Sequence, residues 1–369
     1  MAGETDNLLL DVRDLRTHFL TGAGGIPVVD GVSLSVRQGR TLAIVGETGC
    51  GKTVTALSIL RLVPDPPGKI VGGQVLFSEQ AGSPCVDLAT APDSVLRRIR
   101  GGRIAMIFQD PAACLNPVFT VGEQIAEAVR LHRGLRGRRA ETLAVQMLER
   151  LGIADPGARA RDYPHRLSGG MRQRVLIAMA LACEPCVLIA DEPTSALDTT
   201  IAAEIMALLG RMQAEKGMGI LLITHDLGVA AQMADDVCVM YAGRIVEKAP
   251  AKELFARPMH PYTRGLLRSL PRPGHGGGRL AAIPGAIGDP AHQPPGCPFH
   301  PRCERTREPA ALETRERVVM RDAEQPVTVL RRCIEPTSRE PGGRPELREV
   351  RTGHSVACWE VAGDSAGAV

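Results

Sequence analysis

The chain has 369 residues, of which 44% are hydrophobic, 23% are charged and 3% are aromatic, and its net charge is +3 at pH 7. This composition is typical of a globular protein with one large or two medium domains, and the charge is too nearly balanced to predict nucleic-acid binding by bulk electrostatics. No apolar run approaches the roughly 18 residues that span a bilayer, and the acidic first residues do not resemble a signal peptide. We therefore expect a cytoplasmic protein whose cysteines do not form a disulfide framework.

The N-terminal part predicts a β layer followed by a phosphate-binding loop. Apolar and polar residues alternate across residues 8–45, with glycine turns, which favours antiparallel strands. The apolar residues 42–45 lead into residues 46–53, Gly-Glu-Thr-Gly-Cys-Gly-Lys-Thr. This run matches the phosphate-loop pattern, GxxxxGK followed by Ser or Thr, whose backbone N–H groups and following helix hold the phosphates of ATP or GTP.

Two side chains of this loop have predicted roles. Lys52 would neutralise the charge of the β and γ phosphates, and the Thr53 hydroxyl would be a ligand of Mg²⁺. An exposed thiol at Cys50 would make ATP binding sensitive to oxidation. The predicted nucleotide-binding residues of the loop are Gly46, Glu47, Thr48, Gly49, Cys50, Gly51, Lys52 and Thr53.

The following residues predict an α/β core. Continuous apolar runs at 104–108, 187–190 and 220–223 are typical of strands buried on both faces, and 201–213 has the spacing of a helix. Strands that alternate with helices imply right-handed crossovers and a mostly parallel sheet. Residues 111–175 predict a helical insertion between the first two of these strands.

A pair of carboxylates follows one of the buried strands. Asp191 and Glu192 come directly after residues 187–190. At the carboxyl end of such a strand, Asp191 would hold Mg²⁺, and Glu192 would orient and deprotonate the attacking water. An isolated Asp-Glu pair is otherwise typical of a helix N-terminus, but the preceding strand and Pro193 favour the catalytic interpretation.

With these motifs in place, the chain resembles the ATP-binding subunits of ABC transporters. Gln109, after the strand at 104–108, resembles the glutamine that contacts the metal and the attacking water, and residues 195–198, Ser-Ala-Leu-Asp, resemble the D-loop. His225, after the strand at 220–223, resembles the histidine that contacts the γ-phosphate. The resemblance implies a P-loop ATPase core with an N-terminal antiparallel β layer, a helical insertion and a small cysteine-containing C-terminal extension.

Two further features carry the same resemblance. Leu-Ser-Gly-Gly-Met at 167–171 resembles the family's signature sequence. The resemblance implies that Ser168, Gly169 and Gly170 present a hydroxyl and backbone N–H groups to the γ-phosphate held by another subunit, at a helix N-terminus. Phe19 lies where the family stacks an aromatic ring on adenine, and a core position is the alternative for it.

Four segments narrow the resemblance to importers of oligopeptides, dipeptides and nickel. They are Phe-Gln-Asp-Pro at 108–111, Leu-Asn-Pro at 115–117, Tyr-Pro-His at 163–165 and His-Pro-Tyr-Thr-Arg-Gly-Leu-Leu at 260–267. The resemblance covers nearly all of residues 8–271 and is to the D-type ATPase subunit of dipeptide and oligopeptide importers. It implies hydrolysis of ATP that powers peptide uptake, with nickel or another small solute as the alternative cargo.

The resemblance also implies partners. In that importer group two different ATPase subunits pair beneath two permeases on the cytoplasmic face of the plasma membrane, and an external solute-binding protein delivers the cargo. A non-transport ABC ATPase acting on DNA or ribosomes is another class, but the chain has neither the long coiled coil nor the tandem cassettes typical of it. A module that binds ATP without hydrolysis is opposed by Glu192 and His225.

We expect three regions along the chain. Residues 1–270 form the nucleotide-binding domain, with the helical subdomain at about 111–175. Residues 271–278, which are rich in Pro and Gly, form a flexible linker. Residues 279–369 form the C-terminal extension, which has too few apolar clusters to build a substantial core alone.

The extension contains four cysteines, Cys297, Cys303, Cys333 and Cys358. Their sequence contexts resemble the extension of the peptide importer ATPases, and the resemblance implies a four-iron four-sulfur cluster. Four thiolates also suit structural Zn²⁺. The long interval between Cys303 and Cys333 departs from the family pattern, so zinc and unligated thiols stay open as alternatives.

Overall fold

The structure is a computed structural model, and it describes residues 7–22, 24–80, 82–195, 197–270, 282–307, 317–322, 325–334 and 343–364. The predicted linker at 271–278 and Ala196 of the predicted D-loop lie outside these residues. None of the helices within the described ranges is long and apolar enough to cross a membrane.

The strands are β1 (Leu8–Thr21), β2 (Gly24–Arg37), β3 (Thr41–Val45), β4 (Gly68–Phe77), β5 (Val86–Asp87), β6 (Ile104–Ile107), β7 (Val187–Asp191), β8 (Gly219–Thr224), β9 (Asp236–Tyr241), β10 (Arg244–Pro250), β11 (Arg317–Asp322), β12 (Gln325–Leu330), β13 (Arg348–Arg351) and β14 (His354–Val356). The helices are α1 (Lys52–Ile59), α2 (Asp93–Ile99), α3 (Pro111–Cys114), α4 (Val121–Arg133), α5 (Arg138–Arg150), α6 (Pro156–Arg159), α7 (Gly169–Leu181), α8 (Thr199–Lys216), α9 (Leu227–Met233), α10 (Ala251–Ala256), α11 (Pro261–Arg268), α12 (Glu304–Arg307), α13 (Arg331–Ile334) and α14 (Trp359–Asp364).

A central sheet of eight strands organises the molecule. Its order is β13-β14-β10-β9-β3-β8-β7-β6, and the five strands from β9 to β6 are parallel. A second sheet, of order β2-β1-β4-β5, is antiparallel. The predicted N-terminal antiparallel layer is therefore confirmed, but it ends at Arg37, because residues 41–45 belong to the parallel sheet.

Side chains of β3 show how the layers pack. Leu42 and Ile44 join the apolar core beneath the antiparallel sheet, whereas Ala43 and Val45 join the core beneath the helices. Successive side chains of a strand point to opposite faces, so an apolar strand covered on both sides needs no polar residue. The central sheet therefore lies between the antiparallel layer and the helical layer.

The predicted helical block follows β6 in the chain. Helices α3 to α7 all lie between β6 and β7. The longest of them have clear local signals: α4 begins after Thr120, whose side chain accepts a hydrogen bond from Glu123 N, and ends at Gly134 in the left-handed conformation. The predicted α/β fold with a helical insertion is thus confirmed.

The C-terminal extension joins the main body. Strand β14 pairs with β10 and extends the central sheet. Phe299 is buried in the same core cluster as the helical layer, with Cys297 and Cys303. The described part of the extension therefore relies on apolar surface that the rest of the chain provides.

Candidate nucleotide site

The phosphate loop connects β3, near the middle of the parallel sheet, to α1. Ligand sites in such sheets lie at the carboxyl ends of the strands. A side chain at Gly46 would place its Cβ 2.3 Å from the Met240 carbonyl oxygen, and at Gly51 it would lie 2.7 Å from that of Val28. Gly51 also has φ of 106°, which favours glycine. The glycines are required because the loop packs directly against neighbouring backbone.

Lys52 is held over this loop. Its Nζ donates hydrogen bonds to the carbonyl oxygens of Gly46 at 2.7 Å and Glu47 at 2.9 Å, and the residue is 6% exposed. The ammonium group is thereby positioned at the loop that would receive the phosphates. Cys50, in contrast, is only 1% exposed. Burial raises the pKa of its thiol, so the condition for oxidation sensitivity, an exposed thiol, is not met in this structure.

Asp191 lies where a metal ion would be held. It ends β7, is 1% exposed, and neither of its carboxylate oxygens makes a hydrogen bond. Burial raises its pKa, and the nearby Thr53 hydroxyl and Lys52 ammonium oppose that shift, although the Thr53 hydroxyl is not placed to make a regular hydrogen bond with the carboxylate. Buried carboxylate oxygens without a partner are costly unless a cation or donor satisfies them. The carboxylate of Asp191 and the hydroxyl of Thr53 are oxygen donors that suit Mg²⁺.

Three predicted catalytic side chains meet at one edge of the sheet. Gln109 follows β6, Glu192 follows β7 and His225 follows β8, and these strands are adjacent. Gln109 Nε2 donates to Glu192 Oε2 at 3.0 Å, and His225 Nδ1 lies 2.9 Å from Glu192 Oε1. An ionised carboxylate only accepts, so the second contact requires the proton on Nδ1 of His225. Sequence reasoning chose all three, and the structure brings them together.

The backbone of Glu192 is unusual. Its φ is 47°, a left-handed value that costs a non-glycine residue on the order of 1 kcal/mol. The Glu192 N–H donates to the Ile223 carbonyl of β8 at 2.8 Å, and the side chain is 11% exposed against 58% for His225. The neighbouring strand thus fixes a conformation that points the carboxylate between Gln109 and His225.

The signature residues stand apart from this constellation. Ser168 is the N-cap of α7, and its Oγ accepts a hydrogen bond from Met171 N at 3.3 Å. No atom lies within 4 Å of a Cβ built on Gly169, and one built on Gly170 would approach Leu197 Cδ2 at 3.2 Å. Gly169 is exposed among the described residues, and the N-terminus of α7 is of the kind that binds anions.

Phe19 lies on β1, where it pairs with Ile26 of β2 and Gly68 of β4. The ring is partly exposed, and its edge would lie 3.0 Å from a Cβ at Gly68. One edge of the ring is thus packed against backbone. The stacking of Phe19 on adenine stays a prediction.

A cavity of about 720 Å³ adjoins the loop. Its lining includes Gly46, Glu47, Thr48, Gly49, His225, Leu227, Leu266 and residues 285–290. The C-terminal extension therefore contributes one wall beside the phosphate loop. Sequence reasoning did not anticipate this contact.

Two residues that sequence reasoning missed hold Glu47 of the loop. Tyr262 Oη accepts a hydrogen bond from Glu47 N at 2.9 Å. Arg302 of the extension donates to the Glu47 carboxylate through Nη1 at 2.7 Å and Nη2 at 2.9 Å. Burial would lower the pKa of the Arg302 guanidinium, but its hydrogen bonds to Glu47 raise it overall. The one signal in the sequence was that Tyr262 and Arg302 lie inside family-like motifs.

The four cysteines of the extension are buried, each at 9% exposure or less. Cys297 N donates to the Cys333 carbonyl at 2.9 Å, although the two are distant in sequence. The pKa of the Cys297 thiol is raised by burial and then by the other three cysteines, which lie near it. Among the described residues, no group of three or more His, Cys, Asp or Glu side chains is arranged to hold a metal ion.

Comparisons with known proteins agree with this fold. The family described as ABC transporter matches residues 29–195, and the one described as oligopeptide/dipeptide transporter, C-terminal region, matches residues 246–309. The dimeric ATP-binding cassette MJ0796, solved with ADP and Pi, is similar with a TM-score of 0.59 and 26% identity, over 66% of this chain and 99% of that one. The fold and the site therefore define an ATPase of the ATP-binding cassette class.

Relatives narrow this class. A putative peptide import ATP-binding protein of Brucella melitensis is 52% identical over 301 residues, which cover 80% of this chain and 89% of the relative. The dipeptide transport ATP-binding protein DppD of Bacillus subtilis is 48% identical over 80% of this chain and 86% of its own. A probable peptide ABC transporter ATP-binding protein of Sinorhizobium fredii is 47% identical over 96% and 95%. The chain belongs to the family of ABC transporter ATP-binding proteins.

Proposed function

We propose that this protein is the ATP-binding and ATP-hydrolysing subunit of an ABC importer that takes up peptides. The observation that carries the hydrolytic part is the contact of Glu192 with both Gln109 and His225. The names of the relatives, which are peptide and dipeptide import proteins, support the cargo. Nickel or another small solute is the second candidate, because cargo choice in such importers resides in the permeases and the solute-binding protein.

The geometry supports hydrolysis with Glu192 as the general base. Each carboxylate oxygen has two acceptor sites, so the contacts with Gln109 and His225 leave sites for a water molecule. As that water oxygen bonds to the γ-phosphorus, Glu192 accepts its proton and the bond from phosphorus to the β–γ bridging oxygen breaks. The products are ADP and phosphate.

The metal site and the phosphate loop prepare this step. Thr53 and Asp191 would hold Mg²⁺, with Gln109 beside it, and the ion would neutralise charge on the β and γ phosphate oxygens. Lys52 already lies over the loop and adds a positive charge. His225 contacts Glu192 through Nδ1 and is more than half exposed, so its ring is accessible from the side where a γ-phosphate would bind.

The site needs a second subunit. Ser168 caps α7 and Gly169 and Gly170 begin it, and this accessible helix N-terminus is absent from the lining of the cavity beside the chain's own loop. We therefore propose that they close the site of a partner ATPase subunit, whose signature closes this one. The assembly would contain two permeases and receive cargo from an external solute-binding protein, with this chain on the cytoplasmic face of the membrane.

We also propose the division into a nucleotide-binding domain at 1–270, with a helical subdomain at about 111–175, a linker at 271–278 and an extension at 279–369. Support comes from helices α3 to α7, which are consecutive between two core strands. It also comes from β13 and β14, which occupy the edge of the central sheet.

The hydrolytic role is tested with Glu192→Gln. The variant keeps the size of the side chain but cannot accept the proton, so kcat of the assembled transporter should fall by about 10²–10⁴ while ATP binding is retained. Glu204→Gln, at an exposed position on α8, is the matched control and should keep wild-type turnover. Unchanged turnover of Glu192→Gln would remove Glu192 as the base.

For the extension, we propose that Cys297, Cys303, Cys333 and Cys358 hold a four-iron four-sulfur cluster. The support is their shared burial and the proximity of the other three to Cys297. A cluster is wider than one ion, so its thiolates need not converge on a single point. When bound, it would cross-link segments that are distant in sequence.

Anaerobic purification followed by visible absorption and iron, sulfide and zinc analysis tests the cluster. We expect about four iron and four sulfide per chain, lost in Cys303→Ser and kept in Cys85→Ser, which changes an exposed cysteine. One zinc per chain, or none of the three elements, would contradict the cluster.

A further inference from the structure

An anionic side chain stands in the loop that would receive an anionic ligand. Glu47 is the second residue of the phosphate loop, and its side chain is 32% exposed. The carbonyl oxygen of the same residue accepts a hydrogen bond from Lys52 Nζ at 2.9 Å. A free carboxylate here would oppose the field with which Lys52 attracts phosphates, because like charges repel over several ångströms.

Arg302 neutralises that carboxylate from the C-terminal extension. The contact is a fork of two hydrogen bonds, at 2.7 and 2.9 Å, and the arginine side chain is only 6% exposed. Paired hydrogen bonds between arginine and a carboxylate are the strong and geometrically specific kind. Because the arginine side chain is buried, solvent screens this pair less than it would a fully exposed salt bridge.

The extension orients the guanidinium before any ligand arrives. Arg302 Nε donates to the Pro284 carbonyl at 2.8 Å and Nη2 to that of Gly285 at 3.2 Å. Its guanidinium carbon lies 5.8 Å from the centre of the Tyr241 ring. Arg302 is thus fixed by groups other than Glu47, and it would keep its place if the carboxylate were removed.

We propose that Arg302 is a positioning residue for nucleotide binding, which cancels the charge of Glu47 so that the phosphate loop attracts polyphosphate. The proposal rests on the proposed function only in that the loop binds ATP. Through Arg302, the extension would have a role at the nucleotide site that does not depend on a cluster bound by its four cysteines.

Charge cancellation predicts a specific pattern of nucleotide affinities in variants of Arg302 and Glu47. Removing Arg302 leaves Glu47 unpaired, so the loss of affinity should grow with the number of phosphates and shrink at high salt, where exposed charges are screened. Removing Glu47 alone leaves an unpaired cation that attracts phosphate. If the ion pair served only to hold the loop in shape, removing either residue would weaken the binding of every nucleotide equally.

The test measures Kd for ATP, ADP and adenosine by isothermal titration calorimetry, using the full chain at low and high salt. We expect Arg302→Met to bind ATP about tenfold more weakly, ADP less so and adenosine unchanged. Glu47→Gln should bind ATP at least as tightly as wild type, and the double variant should return to within about threefold of wild type. Arg97→Met removes a charge from an exposed position on α2 and is the matched control, with wild-type affinities.

Three results would overturn the proposal: wild-type ATP affinity in Arg302→Met, a double variant as weak as Arg302→Met, or equal losses for ATP and adenosine. If Arg302→Met does not fold, Glu47→Gln decides, because weaker ATP binding in that variant contradicts charge cancellation. Wild-type protein that binds no ATP would instead contradict the proposed function, so the two failures are distinguishable.

Discussion

His260 should make the stability of this protein fall in mild acid. It is the N-cap of α11, where its Nδ1 accepts a hydrogen bond from Tyr262 N at 3.0 Å. The residue is 1% exposed, and burial lowers its pKa from 6.5 to about 4, although Glu247 opposes that shift. Since Tyr262 of the same helix holds the phosphate loop at Glu47, the helix that depends on His260 also supports the site.

The size of the effect follows from the two pKa values. His260 stays neutral in the folded protein while the unfolded chain takes up a proton below pH 6.5, so the stabilisation is complete above 6.5 and is lost as the pH falls toward about 4. Each pH unit in that window removes about 1.4 kcal/mol of the free energy of unfolding. Between pH 6.5 and 5 the loss from this one group is about 2 kcal/mol.

His260→Asn tests this reasoning, because asparagine is also a good N-cap but does not titrate. The free energy of unfolding is measured by urea denaturation at pH 7 and pH 5. Wild type should lose about 2 kcal/mol more than the variant over this range, whatever their difference at pH 7. His165→Asn, at an exposed position, is the control and should keep the wild-type slope. Equal slopes in wild type and His260→Asn would refute the argument.

Three more outcomes follow from the site. Asp191→Asn should lower magnesium-dependent turnover by at least about 100-fold while ATP still binds without metal, as measured by calorimetry with and without Mg²⁺. Under iodoacetamide, Cys85 should be alkylated well before the buried Cys50, as followed by mass spectrometry; equal rates would contradict the burial of Cys50. Gly51→Ala should destabilise the chain by about 2 kcal/mol or more in thermal unfolding, whereas Gly39→Ala, also at positive φ but in open space, should cost about 1 kcal/mol.

Local patterns predicted that Gln109, Glu192 and His225 lie close together, for a physical reason. The phosphate loop is a continuous segment, and its glycines, lysine and threonine must follow a strand. Gln109, Glu192 and His225 each follow a buried apolar strand, and parallel strands bring their carboxyl ends to one edge. Once the strands were identified, the meeting of these three side chains was implied.

The contacts made by the extension could not be predicted in this way. Arg302 and Glu47 are 255 positions apart, and neither sequence context indicates a pairing. Similarly, β14 joins the central sheet through only a few residues paired with β10. A strand of three residues is too short for its pattern of apolar and polar residues to predict this pairing. The apolar pattern of residues 41–45 predicts a strand but does not reveal that it joins the parallel sheet rather than the antiparallel layer.

The most direct test of the proposed function is ATP-dependent uptake of labelled peptide by the transporter that contains this chain. With the transporter in proteoliposomes and the solute-binding protein supplied, uptake should require MgATP on the side of the membrane that carries this chain. It should be lost with Glu192→Gln and kept with Glu204→Gln. Peptide uptake that persists without ATP, or that is unaffected by Glu192→Gln, would contradict the account.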